Sequence, residues 1–534
     1  MTDRTAASGA GLHSAGMQRS RAWTRGLLAR TRGIGLLPAA VVVALVASIN
    51  FLGNLGYPAH PIWDESYYLT SVARYEAGIA QFASHPPLGL ALITAGDELL
   101  HPNRRLATQR IGWDKKVSAE QLPKGYSFAG VRLMPGIFGV LGALAFFGLM
   151  QALTRSVLAA LVFSNLYLFD NALIVHFRAA QLDPFQIAFV LAALLCFAVG
   201  ARRGGRSSPG IDTLYGAAVG FACMAKLNAS VLAFLGVMLI ARRMSIGWRT
   251  VPRSRLFAAG ARDGLLMTVG CFAAIALVAT LHVALNHVPP VAQSPAGRKD
   301  LGFVTPVYAA YLHRERPLSP AVVLDASRDY LRFMFADLAG VPRTDPNGSK
   351  PRVWPLGRGT INYRWDSTGG RTAYVQLVGN PVGWLFGLAA LAASLALTLH
   401  WSWRALRRVG SAQRLEPAGM SRADPARRAL IVMLLAQWLV YMAVHAYIGM
   451  ERVMYLYHYF IALMFSYCLV PLVVAEAAER WPALRERQAP LLAGMAALLW
   501  AGFIFYAPLT FHWYLTFDQC EWRNVIQHVI NCHR

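Results

Sequence analysis

RSVLAALVFSNLYLFDNALIVHFRAAQLDPFQIAFVLAALLCFAVGARR, residues 155–203, decides what solvent this chain is built for. Its two apolar runs, 155–171 and 181–200, have the length a helix needs to cross roughly 30 Å of hydrocarbon. Between them lies a short segment with Asp170, Asn171, His176, Arg178 and Asp183, and beyond the second run come Arg202, Arg203 and Arg206. Ionisable groups at membrane depth are costly, so they pair with one another or face a polar cavity. Here Asp170 with Arg178, or Arg178 with Asp183, either neutralise each other or serve a site.

The same alternation runs outward in both directions. Apolar runs at 34–55, 129–149, 155–171, 181–200, 211–225, 228–241, 264–286, 382–400, 429–449, 454–476 and 489–508 predict about eleven spanning helices. Arginines at 19, 21, 25, 30 and 32 precede the first run, which exceeds the apolar core of a signal peptide and reads as a retained helix. With the basic segment 1–33 in the cytoplasm, arginine-rich loops fall inside, as the positive-inside rule requires. Two long connections, 56–128 and 287–381, and a tail, 509–534, then lie outside. The membrane domain is residues 34–508 of an all-α polytopic protein.

Composition supports a bilayer as solvent: 56% of the 534 residues are hydrophobic and 15% charged, against about 25% in soluble domains. The formal charge of +24 would suit a nucleic-acid partner if it were gathered on one face, but it is spread over short loops between apolar runs. No nucleic acid is expected. Four cysteines (Cys196, Cys223, Cys271 and Cys468) sit in apolar runs as small hydrophobes, whereas Cys520 and Cys532 lie in the external tail, where a disulfide is chemically permitted.

Chemistry-bearing residues gather on the external side. YPAHPIWDESYY places Asp64 and Glu65 just past the first span, an acidic pair that either deprotonates a hydroxyl, binds a cation or hydrates a loop. SHPPLG follows, with His85, Pro86 and Pro87 shaping a turn before the amphipathic LALITAGDELL. Arg132 opens the second span, and its planar donor fork suits a lipid phosphate unless it snorkels to water. Lys226, in CMAKLNAS, either meets a phosphate or marks a helix end. ERVMYLYHYFIAL brings Arg452, Tyr457 and His458 to another span mouth, where an aromatic belt explains the tyrosines but not the arginine or histidine.

Competing chemistries lack their signatures. Neither HExxH, CxxC nor GxSxG occurs, and no phosphate-binding glycine loop sits between a strand and a helix. No cofactor and no metal are expected, so the energy for any reaction arrives with the substrate. A secondary transporter would place its ionisable residues near the midplane, whereas these cluster on one face.

Taken together, WDESYY, SHPPLG, RLMPGIFG, DNALIVHFRAAQLDP, WPLGRGTINY, VGNPVGW and YLYHYFIAL resemble, in order, the protein O-mannosyltransferases, lipid-carrier-dependent enzymes of the GT-C glycosyltransferase fold. The resemblance implies an inverting, metal-independent transfer of mannose from a polyprenyl phosphate to Ser or Thr hydroxyls of a translocated protein. It implies Asp64 as the acid that orients and deprotonates the acceptor, with Glu65 beside it. Arg132, Arg178, Lys226 and Arg452 would hold the carrier phosphate, while His85, Pro86, Pro87, Asp183, Tyr457 and His458 would shape the donor and acceptor site. Leu90 stands where eukaryotic members have lysine, and 287–381 is too short for their MIR domain, so the bacterial type is implied, active outside the inner membrane on polypeptides leaving the secretion translocon. Transferases acting on a lipid or glycan, such as those adding aminoarabinose, remain the enzymatic alternative; their usual KPPL string is HPPL here.

Overall fold

The computed structural model describes residues 35–108, 110–410, 424–524 and 529–533. Every one of the eleven expected runs lies on a helix. In chain order they are α1 (Leu36–Leu52), α4 (Ala129–Thr154), α5 (Val157–Leu168), α7 (Asp183–Arg202), α8 (Pro209–Ala225), α9 (Leu232–Gly247), α10 (Arg253–Leu285), α12 (Pro381–Gly410), α13 (Pro425–Glu451), α14 (Phe460–Arg480) and α15 (Gln488–Thr510). Eight helices among the described residues are long and apolar enough to span a membrane unaided. Joined across its bend to the short α6 (Asn171–Phe177), α5 makes a ninth; α1 is apolar but only 17 residues long. The basic segment 1–33 lies outside the described residues.

The sharpest departure from straight spans is the 63° bend between α5 and α6. A bend inside a membrane frees backbone groups that water cannot reach, so side chains must take them up. Asp170 caps α6 by accepting from the Leu173 amide, and Asn380 donates to the Phe169 carbonyl at 2.8 Å. The other Asp170 oxygen accepts from Trp384 Nε1 and the Tyr467 hydroxyl, both at 2.7 Å. Asp170 is therefore a buried capping hub, and the expected alternative of pairing with Arg178 is not what forms. Elsewhere the spans approach closely through small residues: a Cβ on Gly216 or Gly270 would lie about 2 Å from the facing backbone oxygen of Met267 or Thr213, so glycine lets α8 and α10 touch.

The two long connections are folded, and they fold together. The first holds α2 (Glu65–Glu76) and α3 (Leu88–Leu100); the second holds α11 (Pro320–Ala339) and a small antiparallel sheet absent from the sequence expectation. Its strands are β1 (Ile361–Thr368), β2 (Arg371–Leu377) and β3 (Tyr514–Leu515), so the tail supplies an edge strand. Tail and sheet also share the cluster of Tyr374, Leu509, Leu515 and Ile530, and Cys520 is joined to Cys532. Arg74 of α2 pairs with Asp300 at 3.0 Å, and the Tyr75 hydroxyl meets His282 Nδ1 at 2.6 Å, locking the loops over one end of the helices. That end is the loop side of the molecule.

Candidate active site

Where α2 begins, two neighbouring carboxylates part company. Trp63 adopts a left-handed backbone, φ 52°, which costs a bulky residue about 1–2 kcal/mol, and its ring stacks on Tyr363 of β1 at 5.1 Å. From this twisted start, Glu65 turns into the protein and Asp64 faces a cavity of about 400 Å³ between the two long connections.

Glu65 is fully buried and receives Arg132 in a fork, Nε to Oε1 and Nη2 to Oε2, both at 2.8 Å. The Ala180 and Ile62 amides complete the carboxylate's shell at 2.7 Å. Arg132 spends its remaining donors on the carbonyls of Leu55, Pro58 and His60 at 2.8 to 3.1 Å. A guanidinium has five N–H bonds, and all are taken. The expected phosphate ligand Arg132 is thus corrected to a staple that fixes residues 55–65 against α4, and Glu65 to its counter-ion.

The other cations sort equally clearly. Arg178 donates to the Gly53 carbonyl at 2.7 Å and lines a different cavity, so it does not join Asp64. Lys226 lies behind the Tyr457 ring, 5.0 Å from its centroid, and binds Asp183 at 2.6 Å. Asp183 also holds His176 Nε2 at 2.7 Å, and His176 Nδ1 meets the Tyr363 hydroxyl at 2.7 Å. Neither Lys226 nor Asp183 is on the cavity wall, and the expected Asp183–Arg178 neutralisation gives way to this chain. Arg74, Lys115 and Arg452 do line the cavity. Arg74 is bound to Asp300 and Lys115 to Asp337, whereas the Arg452 guanidinium has no carboxylate or hydrogen-bond acceptor among the described residues.

His85, Tyr457 and His458 stand on the wall with Asp64. Pro86 and Pro87 are buried and lead into α3 rather than facing the cavity. Burial pushes the Asp64 carboxyl up to about 6, with Asp183 adding and Lys226 opposing. Burial, reinforced by Lys226, pushes His85 down to about 3, so its ring is neutral near pH 7. On the far wall burial raises the Asp337 carboxyl, but Lys115, Ser84 and Lys299 outweigh it and hold the group near 2. Asp337 thereby ties three segments of the two connections into one rim. Sequence reasoning passed over Asp337 and Tyr363. For Asp337 a signal existed, since Tyr330, Phe333 and Asp337 recur at helical spacing on one face. Among the described residues no three of His, Cys, Asp and Glu converge as a metal site.

Such an arrangement can deprotonate a hydroxyl at Asp64 while an anion rests on Arg452. The fold is shared with the solved S. cerevisiae protein O-mannosyltransferase Pmt1-Pmt2 complex bound to the sugar donor, which superposes with a TM-score of 0.70, covering 94% of each chain at 12% identity. Residues 41–284 match the family described as dolichyl-phosphate-mannose-protein mannosyltransferase, and 331–529 match the C-terminal four-span region of protein O-mannosyltransferase. A polyprenol-phosphate-mannose–protein mannosyltransferase of Mycolicibacterium smegmatis (strain MKD8) is 24% identical over 430 residues, 70% of this chain and 74% of that protein. Dolichyl-phosphate-mannose–protein mannosyltransferase 4 of Schizosaccharomyces pombe is 25% identical over 159 residues, 30% of this chain and 20% of that protein. The chain belongs to the protein O-mannosyltransferase family, as a multi-pass membrane protein.

Proposed function

We propose that this enzyme moves mannose from a polyprenyl-phosphate carrier to a Ser or Thr hydroxyl of a polypeptide, on the external face of the plasma membrane. The observation that carries the reading is one cavity holding a carboxylate and a guanidinium that are both unpaired among the described residues, Asp64 and Arg452. The names of the relatives, and the sugar donor in the matched yeast structure, supply the donor class.

In the proposed reaction the acceptor hydroxyl lies against Asp64. A hydroxyl is a poor nucleophile near neutral pH, and a carboxylate within hydrogen-bond reach takes its proton as the new C–O bond forms. The bond from the anomeric carbon to the carrier phosphate breaks with inversion, and Arg452 meets the charge that collects on the departing phosphate. Lys226, neutralised by Asp183 behind Tyr457, tunes the field at Asp64 without touching donor or acceptor. Asp64, His85, Tyr457, His458 and Arg452 make the wall against which sugar and peptide would fit.

Arg452→Gln is expected to raise the donor KM and lower kcat/KM on the order of 10–100-fold, the worth of a hydrogen bond to a charged group. Steady-state kinetics with varied polyprenyl-phosphate mannose reads this, and an unchanged donor KM removes Arg452 from the phosphate. Because the Asp64 carboxyl is raised to about 6, the working ionised form is lost as pH falls through that value. Transfer should therefore drop about tenfold per pH unit below 6 and lie flat above about 7. A profile flat down to pH 5 contradicts a base at Asp64. The assay that tests the whole reading combines purified protein, labelled polyprenyl-phosphate mannose and a Ser/Thr-rich peptide, with the product read by mass spectrometry. Mannose on the peptide is expected; label appearing instead on a lipid or glycan would move the acceptor to the aminoarabinose-like alternative.

A further inference from the structure

Arg178 directly follows α6 and is not on the wall of the catalytic cavity; it lines a separate, open cavity of about 550 Å³. Of its guanidinium only Nη2 is engaged, with the carbonyls of Gly53 and Asn54, and the plane lies 5.0 Å from the Phe511 ring. Nε and Nη1 have no acceptor among the described residues. The wall around them is Ile49, Tyr57, Trp513 and Tyr514, exposed at 72, 41, 54 and 43%.

Depth identifies the occupant. Ile49 lies in the last turn of α1 and Phe511 directly follows α15, so Arg178 sits at the level where two apolar helices end on the loop side. That is where the phosphates of a bilayer leaflet lie, and amphipathic aromatic rings favour the same level. Among the described residues no carboxylate lines this cavity, and the nearby Asp366 is engaged by His512, so little is offered to the ammonium of a zwitterionic headgroup. The wall's histidine, His512, is already held by the Tyr57 hydroxyl and Asp366, each at 2.9 Å. We infer that this cavity is a seat for an anionic phospholipid, its phosphodiester forked on Nε and Nη1 of Arg178 and its acyl chains running down α1 past Ile49. The site is separate from donor binding and does not depend on the reaction proposed above.

The test uses the full-length protein, delipidated in mild detergent, titrated with phosphatidylglycerol or phosphatidylcholine of matched chains and read by native mass spectrometry. Phosphatidylglycerol should be held about fivefold more tightly, and Arg178→Gln should remove that preference. Equal retention of the two lipids by the unsubstituted protein overturns the site without any variant, as does a preference that survives R178Q. Stronger retention of polyprenyl phosphate than of phosphatidylglycerol, lost in R178Q, would give the seat to the carrier and overturn the phospholipid assignment.

Discussion

Asp64→Asn is expected to cut mannosyl transfer by about 10²–10⁴-fold, the range over which a positioned general base contributes, while the protein folds and binds donor much as before. The separation follows from the surroundings of the side chain. Among the described residues no hydrogen bond holds the Asp64 carboxylate in place, and its backbone carbonyl takes part in α2, accepting from the Tyr67 and Tyr68 amides. An amide of the same size thus removes the acceptor of the proton and disturbs no packing. It also relieves a carboxylate that burial disfavours, so the variant should unfold at a temperature no lower than the parent. Transfer assays and thermal unfolding on the same preparations check both halves.

Arg132→Met, by contrast, is expected to act on the fold. It leaves the buried Glu65 without its counter-ion and the carbonyls of Leu55, Pro58 and His60 without their donors. Breaking one partner out of a buried ion pair costs about 3–5 kcal/mol, and the orphaned carbonyls push the loss toward the upper end. The double variant Glu65→Leu, Arg132→Met, which removes both charges, should recover part of that loss. Arg132→Lys should also be destabilised, because an ammonium cannot reproduce the two-pronged fork and the three carbonyl bonds together. Stability of the variants in detergent, followed by thermal unfolding, is the measurement. A stable R132K whose only defect is a raised donor KM would restore Arg132 to the phosphate.

These two residues also mark how far sequence carries. The spans were legible because the solvent imposes them: about twenty apolar residues in a row have few other uses, and all eleven runs became helices. Asp64 could be singled out because an acid just past a span end needs a reason, and the structure puts it on a cavity wall. Arg132 was misread for a related cause. An arginine at a span mouth announces an anion, but sequence does not reveal that the anion is Glu65, 67 residues earlier, or that three carbonyls from one loop complete its shell. Adjacent Asp64 and Glu65 look alike as letters, and only the turn at Trp63 sends one to the cavity and the other to the core. The same blindness to long-range pairing assigned Lys226 and Arg178 to one phosphate, when the first is bound to Asp183 and the second faces another cavity. The small sheet escaped because its strands lie in segments read only as loop and tail, so Tyr363 could not be placed beside His176.

The proposal gives the two side chains of one cavity, Asp64 and Arg452, separable duties, and the most direct test measures both duties on both. Donor affinity, by equilibrium binding of polyprenyl-phosphate mannose, and single-turnover transfer to peptide should be determined for Asp64→Asn and Arg452→Gln. The account predicts that the first loses turnover with donor affinity preserved, and that the second loses donor affinity. Turnover by the Asp64→Asn protein at close to the parent rate, with donor saturating, would contradict it.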